Sequence, residues 1–200
     1  MKKMAVFLVV LMAAAFGSAA CAGADLSQLL VWQETFAESF GVVPGWQVAE
    51  IDGKRGLQYE AYDAKAVIEL MFPVQPNHGR IEFMVYQTSG SGSNFGIKPY
   101  PKGDPNFIDF WISKSGEARL WRGLDPENPN DVYENGQWHE FAFEWNSSEG
   151  TFTVYAKIDG NWVQKWNASG IFQAPFGLYL DGGAGGSGAI GSLRLYDLSK

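Results

Sequence analysis

Hydrophobic and polar residues alternate with a period of two along much of this chain, most regularly in its second half. In segment 138–145, the aromatic residues Phe141, Phe143 and Trp145 alternate with polar residues. In segment 151–158, Phe, Val, Ala and Ile alternate with Thr, Tyr and Lys. Such alternation is typical of antiparallel strands that have one face on a core and one face in water. The pattern therefore predicts adjoining strands of an antiparallel meander.

Short polar turns separate these strands. Residues 146–150 read Asn-Ser-Ser-Glu-Gly, and Asp159-Gly160 stands before the next alternating run. An Asp-Gly pair between alternating runs is among the stronger hairpin signals. The two turns therefore predict that the meander continues into a third strand.

Similar strand candidates recur at short spacing along the chain, and no convincing helical period follows residue 24. Many short strands are typical of a sandwich or a barrel, and this number favours two packed antiparallel sheets. The predicted fold class is therefore all-β. The predicted strands are Leu29–Phe36, Trp46–Ile51, Gly56–Tyr59, Val67–Phe72, Arg80–Tyr86, Phe95–Tyr100, Phe107–Ser113, Ala118–Arg122, Trp138–Trp145, Thr151–Ile158, Trp162–Trp166, Gly177–Leu180 and Ala189–Tyr196.

The first 24 residues have the organisation of a secretory signal peptide. Two lysines precede an apolar run over 4–16, and Ala22-Gly23-Ala24 fits cleavage before Asp25. The run is shorter than the roughly 20 apolar residues that a membrane span needs. We therefore expect a signal peptide over 1–24, one domain over 25–200, a secreted or periplasmic location, and no integral membrane span in the mature chain.

Cys21 offers an alternative processing site, because Ser18-Ala19-Ala20-Cys21 resembles a bacterial lipobox. Lipid anchoring through Cys21 is therefore kept as an alternative to plain secretion. Cys21 is the only cysteine, so a mature chain that begins at Asp25 has no internal disulfide and depends on packing for its stability. The net charge of −7 argues against nucleic acid or an anionic membrane as a partner.

Four stretches of sequence carry a family resemblance: Phe36–Trp46, Gly79–Phe83, Tyr133–His139 and Gly188–Tyr196. With them, the chain resembles the concanavalin A-like lectin/glucanase superfamily, and within it LamG-like jelly-roll domains. The resemblance implies a two-sheet antiparallel jelly-roll sandwich over 25–200. Many members bind glycans, whereas others are glucanases, lyases or adhesion modules, and the fold alone does not choose among these functions.

The hairpin 107–122 supplies the candidate glycan-binding residues. Its aliphatic and Phe residues alternate with a second set, so the second set shares the outer side if the first faces the core. That outer set is Asp109, Trp111, Arg119 and Trp121. An indole ring stacks on the apolar face of a pyranose, while Asp and Arg pair with its hydroxyls. The alternative is that loops cover this side and both Trp residues seal a second small core.

The other tryptophans are assigned to packing. Trp162 and Trp166 alternate with Val163 and Lys165, and packing under the edge of a sheet is their favoured role, with a second platform as the alternative. The remaining three, Trp46, Trp138 and Trp145, are assigned to the fold.

No carboxylate pair has the spacing of a glycosidase. Glu50 and Asp52 lead into a turn, and Glu140 and Glu144 lie roughly 13 Å apart along one strand, which is too far for a retaining pair. Glu82 has no evident partner. His78 and His139 lie outside any lyase-type motif, so no catalytic residue is predicted and the question of an enzyme stays open.

Metal ligands are sparse. The two His residues and the lack of mature-chain cysteine argue against zinc, and no cofactor is expected. Calcium is kept as an alternative, because two loops are rich in oxygen ligands. Capping of local turns is the favoured role for those loop residues. They are Asp104, Asn106, Asp125, Asn130 and Asp131.

The sequence thus favours a secreted, non-catalytic, lectin-like module that binds polysaccharide or a cell-surface glycan through Trp111 and Trp121. A glycoside hydrolase or polysaccharide lyase of the same fold is one alternative. A structural or adhesion protein of the cell envelope, which binds protein rather than sugar, is the other.

Overall fold

In the computed structural model of the protein, most of the described residues lie in strands. The structure describes residues 26–36, 45–61, 66–88, 95–100, 108–112, 118–122, 125–127, 132–182 and 186–200. The expected signal segment and Cys21 lie outside these residues. Within the described ranges, no helix is long and apolar enough to cross a membrane.

A single 3-10 turn over Leu26–Leu29 precedes the fifteen strands of the described residues. The strands are β1 (Leu30–Glu34), β2 (Trp46–Ile51), β3 (Lys54–Ala61), β4 (Ala66–Met71), β5 (His78–Gln87), β6 (Phe95–Lys98), β7 (Ile108–Ile112), β8 (Ala118–Arg122), β9 (Asp125–Glu127), β10 (Trp138–Asn146), β11 (Thr151–Ile158), β12 (Asn161–Ser169), β13 (Gly177–Gly182), β14 (Gly186–Gly191) and β15 (Leu193–Asp197).

These strands form two antiparallel sheets. The nine-stranded sheet has the order β12-β11-β10-β5-β14-β3-β2, and β15 joins it beside β5 and pairs with β1. The six-stranded sheet has the order β4-β13-β6-β7-β8-β9. The predicted all-β sandwich of two antiparallel sheets is therefore confirmed.

An aromatic core joins the two sheets. From the nine-stranded sheet, Phe83 lies 4.8 Å from Phe143 between ring centroids. From the six-stranded sheet, Phe110 lies 4.9 Å from Phe141 and 5.8 Å from Phe143. All four rings are almost fully buried. Their positions confirm the inward face that the period-two alternation predicts.

Two turns of the meander have the predicted chemistry. The Asn146 side-chain oxygen accepts hydrogen bonds from the backbone N–H groups of Ser148 and Glu149, at 3.1 and 3.2 Å. Asp159 and Gly160 both have positive φ, 50° and 80°, between β11 and β12. A two-residue turn with both central φ values positive matches the twist of the flanking strands.

The final predicted strand, Ala189–Tyr196, is wrong in one respect, because the chain forms two strands that are interrupted at Ser192. Both strands lie along the same edge of β5, β14 near Val85 and β15 near Ile81. On its other edge, β14 pairs with β3, whereas β15 pairs with β1. At Ser192 the strand on the far side from β5 therefore changes from β3, which pairs with β14, to β1, which pairs with β15.

Candidate functional site

Strands β7 and β8 carry the predicted glycan-binding residues at neighbouring positions. In the backbone register, Asp109 pairs with Trp121 and Trp111 pairs with Arg119. Trp111 is partly exposed, and both of its neighbours in β7 are buried in the core. The side chains of Asp109, Arg119 and Trp121 lie outside the described residues, so their part in a site stays a prediction.

A buried ion pair lies on the same outer side of the six-stranded sheet. Lys98 follows the core residue Ile97, and Asp181 follows the core residue Leu180, so both point away from the core. Lys98 Nζ donates a hydrogen bond to Asp181 Oδ2 at 2.5 Å. Each of the two residues is only 9% exposed. A fixed donor and a fixed acceptor therefore stand on this outer face.

Gly96 separates the ion pair from the tryptophan. Strand β6 lies between β13 and β7, and Gly96 pairs with Asp181 on one side and Trp111 on the other. Because adjacent strands are about 4.8 Å apart, the backbones at Trp111 and Asp181 are roughly 10 Å apart. Because Gly96 has no side chain, no side chain of β6 lies between Trp111 and Asp181 in this row.

Sequence reasoning missed the ion pair. Lys98 and Asp181 are 83 residues apart, and Asp181 opens a glycine-rich stretch. The alternation of polar and apolar residues indicates that Lys98 faces away from the core, because Ile97 faces the core. The pairing depends on the contact between β6 and β13, for which the sequence has no local signal.

A second cluster lies on the outer face of the nine-stranded sheet and is centred on Arg80. Its Nε donates to Glu82 Oε1 and its Nη1 donates to Glu144 Oε2, both at 3.1 Å. The Tyr196 hydroxyl donates to Glu82 Oε2 at 3.1 Å. One guanidinium thus joins two carboxylates from adjacent strands.

Two aromatic rings hold the same guanidinium. Its central carbon lies 4.9 Å from the ring centroid of Tyr155 and 4.6 Å from that of Trp162. Both distances are within the range of cation–π attraction. Arg80 is only 7% exposed although it stands on the face turned away from the core. The rings and carboxylates therefore enclose its charged end.

A β-bulge places Trp162 in this cluster and corrects its predicted role. Val154 pairs with Trp166, but Tyr155 pairs with Gln164, so Lys165 is an extra residue on β12. An extra residue reverses the alternation on one side of the bulge. Trp162 consequently lies on the outer face. Trp166 packs inward as predicted, with its ring centroid 6.5 Å from that of Phe152.

Ala142 makes room for Arg80. In the register, Ala142 stands between Glu82 on β5 and Tyr155 on β11. Arg80 contacts both of these residues, so its side chain passes over Ala142. This crossing explains why Ala142 is fully buried on an outward-facing position. A larger residue at 142 would occupy the path of the guanidinium.

The candidate metal ligands are mostly outside the described residues, which include only Asp125, at the start of β9. Within the part of the chain that the structure describes, no group of three or more His, Cys, Asp or Glu is placed to hold a metal ion.

Comparisons with known proteins match the fold rather than the sequence. No family model and no curated protein matches the chain. The carbohydrate-binding module CBM66 from Bacillus subtilis matches with a TM-score of 0.52 and 12% identity, over 77% of this chain and 96% of that module. The exoplasmic/lumenal domain of VIP36, in its Ca2+/Man3GlcNAc-bound form, gives 0.54 and 12%, over 79% of this chain and 85% of that chain. A sialidase gives 0.56 and 13% over 85% of this chain, which spans 18% of the sialidase.

The matches show that the chain has the concanavalin A-like jelly-roll fold, as the sequence resemblance implies. The matched structures have different names, a carbohydrate-binding module and a sialidase among them, and the likeness shows the fold without choosing a function.

Proposed function

We propose that the protein is a secreted, non-catalytic carbohydrate-binding module whose site is the outer face of the six-stranded sheet. The observation that carries this proposal is the partly exposed Trp111 in the same row as Asp181, the acceptor of the Lys98–Asp181 ion pair, with only Gly96 between Trp111 and Asp181. A sugar site needs a flat apolar ring beside fixed polar groups, and this row supplies both kinds of group.

The role of each group follows from its chemistry. The Trp111 ring stacks on the apolar face of a pyranose, while the Asp181 carboxylate accepts and the Lys98 ammonium donates hydrogen bonds to hydroxyls. Because each of these two side chains already holds the other, little rotamer freedom is lost when a ligand arrives. Asp109 and Arg119 stand at adjoining backbone positions and would extend the polar contacts.

Polysaccharide or a cell-surface glycan is the proposed ligand. The acidic chain favours a neutral glycan over an anionic one. The structures of a carbohydrate-binding module and of a Man3GlcNAc-bound domain, which share this fold, support a role in glycan recognition. The N-terminal sequence supports export, with cleavage before Asp25 or lipid anchoring through Cys21 as the two routes.

Replacement of Trp111 tests the proposal. We expect Trp111→Ala to weaken glycan binding about tenfold or more, because a lost stacking contact of about 1.4 kcal/mol corresponds to a factor of ten. A glycan array identifies ligands, and titration calorimetry then measures the affinity of each variant. Trp111→Phe keeps a flat ring and is expected to retain most of the affinity.

Other outcomes would reject the proposal. Unchanged affinity of a correctly folded Trp111→Ala variant would place the glycan site elsewhere. Release of sugar products from a polysaccharide would establish a glycoside hydrolase or a lyase instead. Failure of the wild-type chain to bind any glycan on the array would favour the adhesion role, in which the partner is a protein.

A further inference from the structure

The Arg80 cluster on the nine-stranded sheet belongs to no part of the proposed site, because it lies on the opposite outer face of the sandwich. It brings together one cation, two carboxylates and two aromatic rings from four adjacent strands. These residues are Arg80, Glu82, Glu144, Tyr155 and Trp162.

Stability alone is a weak explanation for this cluster. Removing charges from water costs several kcal/mol per ion, and apolar replacements of buried ion pairs are often neutral or stabilising. The Arg80 side chain is 8% exposed, and its Nη2 lacks a hydrogen-bond partner among the described residues. An unsatisfied buried donor adds a further penalty. The cluster therefore calls for a role other than holding the sheet together.

The cluster fixes the orientation of a surface ring. Trp162 lies on β12, the edge strand of the nine-stranded sheet, and is partly exposed. Arg80 covers one face of its indole ring at 4.6 Å. Lys157 lies 5.6 Å from the same ring and is held by Glu140 through a 2.9 Å hydrogen bond. Because these contacts already hold the ring, the Trp162 side chain loses less conformational entropy when a ligand stacks on it.

The charges around the ring define the ligand class. Arg194 stands opposite Glu82 in the register of β15 and β5, so Arg80 and Arg194 balance Glu82 and Glu144. Lys157 balances Glu140, and these charges sum to zero. The side chains of Glu144 and Glu140 are 27% and 36% exposed and present acceptor oxygens on the same outer face as the ring. A flat ring on a face whose charges balance, with carboxylate acceptors on the same face, suits a neutral, hydroxyl-rich sugar.

We propose that this outer face, centred on Trp162, is a second glycan-binding surface and that the protein is a bivalent module which bridges two glycan chains. The inference rests on the proposed function of the Trp111 face. Two surfaces on opposite sides of one rigid sandwich cannot contact the same short oligosaccharide, so each binds its own chain. On a polymeric ligand, bivalency raises the apparent affinity without any new contact.

Calorimetric stoichiometry tests the inference. The probes are the neutral oligosaccharides cellohexaose, xylohexaose and mannohexaose, with hexagalacturonate as the anionic comparison. We expect wild-type protein to bind about two neutral oligosaccharides per chain, and Trp111→Ala and Trp162→Ala to bind about one each. Wild-type protein should also cross-link the matching soluble polysaccharide, measured by turbidity, and both variants should lose this property.

Matched variants separate a binding role from a structural one. Asn167→Ala changes another exposed residue of β12 and should keep both sites. Trp162→Phe should restore the second site, whereas Trp162→Leu, which keeps apolar volume without a flat ring, should not. The melting temperature of each variant shows whether it is folded, so Trp162→Leu decides the matter if Trp162→Ala unfolds.

Three results would overturn the inference. If Trp111→Ala abolishes all binding and Trp162→Leu changes nothing, the second surface does not exist and the proposed function stands. Stronger binding of hexagalacturonate at the Trp162 surface would contradict the neutral ligand class. If wild-type protein binds no glycan at all, the proposed function fails and the bivalent module fails with it.

Discussion

Tyr196 illustrates how the outer face of the nine-stranded sheet alters the chemistry of a single side chain. Burial raises the pKa of Tyr196 above its ordinary value, and the adjacent negative charge of Glu82 and its hydrogen bond raise it further. Arg194 acts in the opposite direction. The neutral hydroxyl is therefore the form that the folded protein favours, because it donates to Glu82.

The raised pKa of Tyr196 predicts a loss of stability in alkaline solution. In the unfolded chain the phenol ionises near pH 10, whereas in the folded protein it keeps its proton to higher pH. The unfolded state therefore binds fewer protons in this window, and the free energy of unfolding falls as pH rises above about 10. Tyr196→Phe should reduce this fall, measured by urea denaturation between pH 8 and 11. Equal pH dependence in the two proteins would contradict the prediction.

The hairpin of β11 and β12 combines a feature that the sequence predicts with one that it hides. Its Asp159-Gly160 turn is visible as a dipeptide between two alternating runs, and positive φ values at both residues confirm it. The bulge at Lys165 leaves no comparable local signal, and it decides that Trp162 faces outward. An error of one residue in register changes the face of every side chain beyond it.

The turn itself can be tested at Gly160, where φ is 80° and a methyl group would meet no atom of the described residues within 4 Å. We expect Gly160→Ala to lower the free energy of unfolding by about 1 kcal/mol, because a side chain strains the left-handed conformation. Gly160→Asn should cost less, since Asn adopts this conformation more readily. Urea denaturation gives both values, and an alanine variant as stable as wild type would show that the turn relaxes freely.

The sandwich as a whole depends on aromatic contacts between its two sheets. Phe143 from the nine-stranded sheet lies near Phe110 from the six-stranded sheet and near its own neighbours Phe83 and Phe152. Both proposed glycan surfaces are the outer faces of sheets whose inner faces meet in this core. Loss of core packing would therefore weaken both surfaces together.

Phe143→Ala is expected to lower the free energy of unfolding by about 3–5 kcal/mol, the usual cost of removing a buried Phe ring. Phe172→Ala is a size-matched control, because Phe172 is 68% exposed and should lose less than about 1 kcal/mol. Chemical denaturation followed by tryptophan fluorescence measures both variants. Similar losses in the two would argue against the central role of the Phe143 contacts.

Alternation along the chain determined most of the strands and the inward face of those without a bulge, because that face depends only on neighbouring residues in an extended backbone. The inward positions of Phe141, Phe143 and Trp145 are examples. The same reasoning identified hairpin 107–122, in which Trp111 is now seen to be partly exposed.

The tertiary structure alone determined the contacts between strands that are distant in the chain. Lys98 meets Asp181 because β6 pairs with β13, and Arg80 reaches Glu144 because β5 pairs with β10. Sheet order and register control these contacts, and the bulge at Lys165 controls the face on which Trp162 lies. Since each is set by packing of the whole sandwich, no local pattern of polar and apolar residues encodes it.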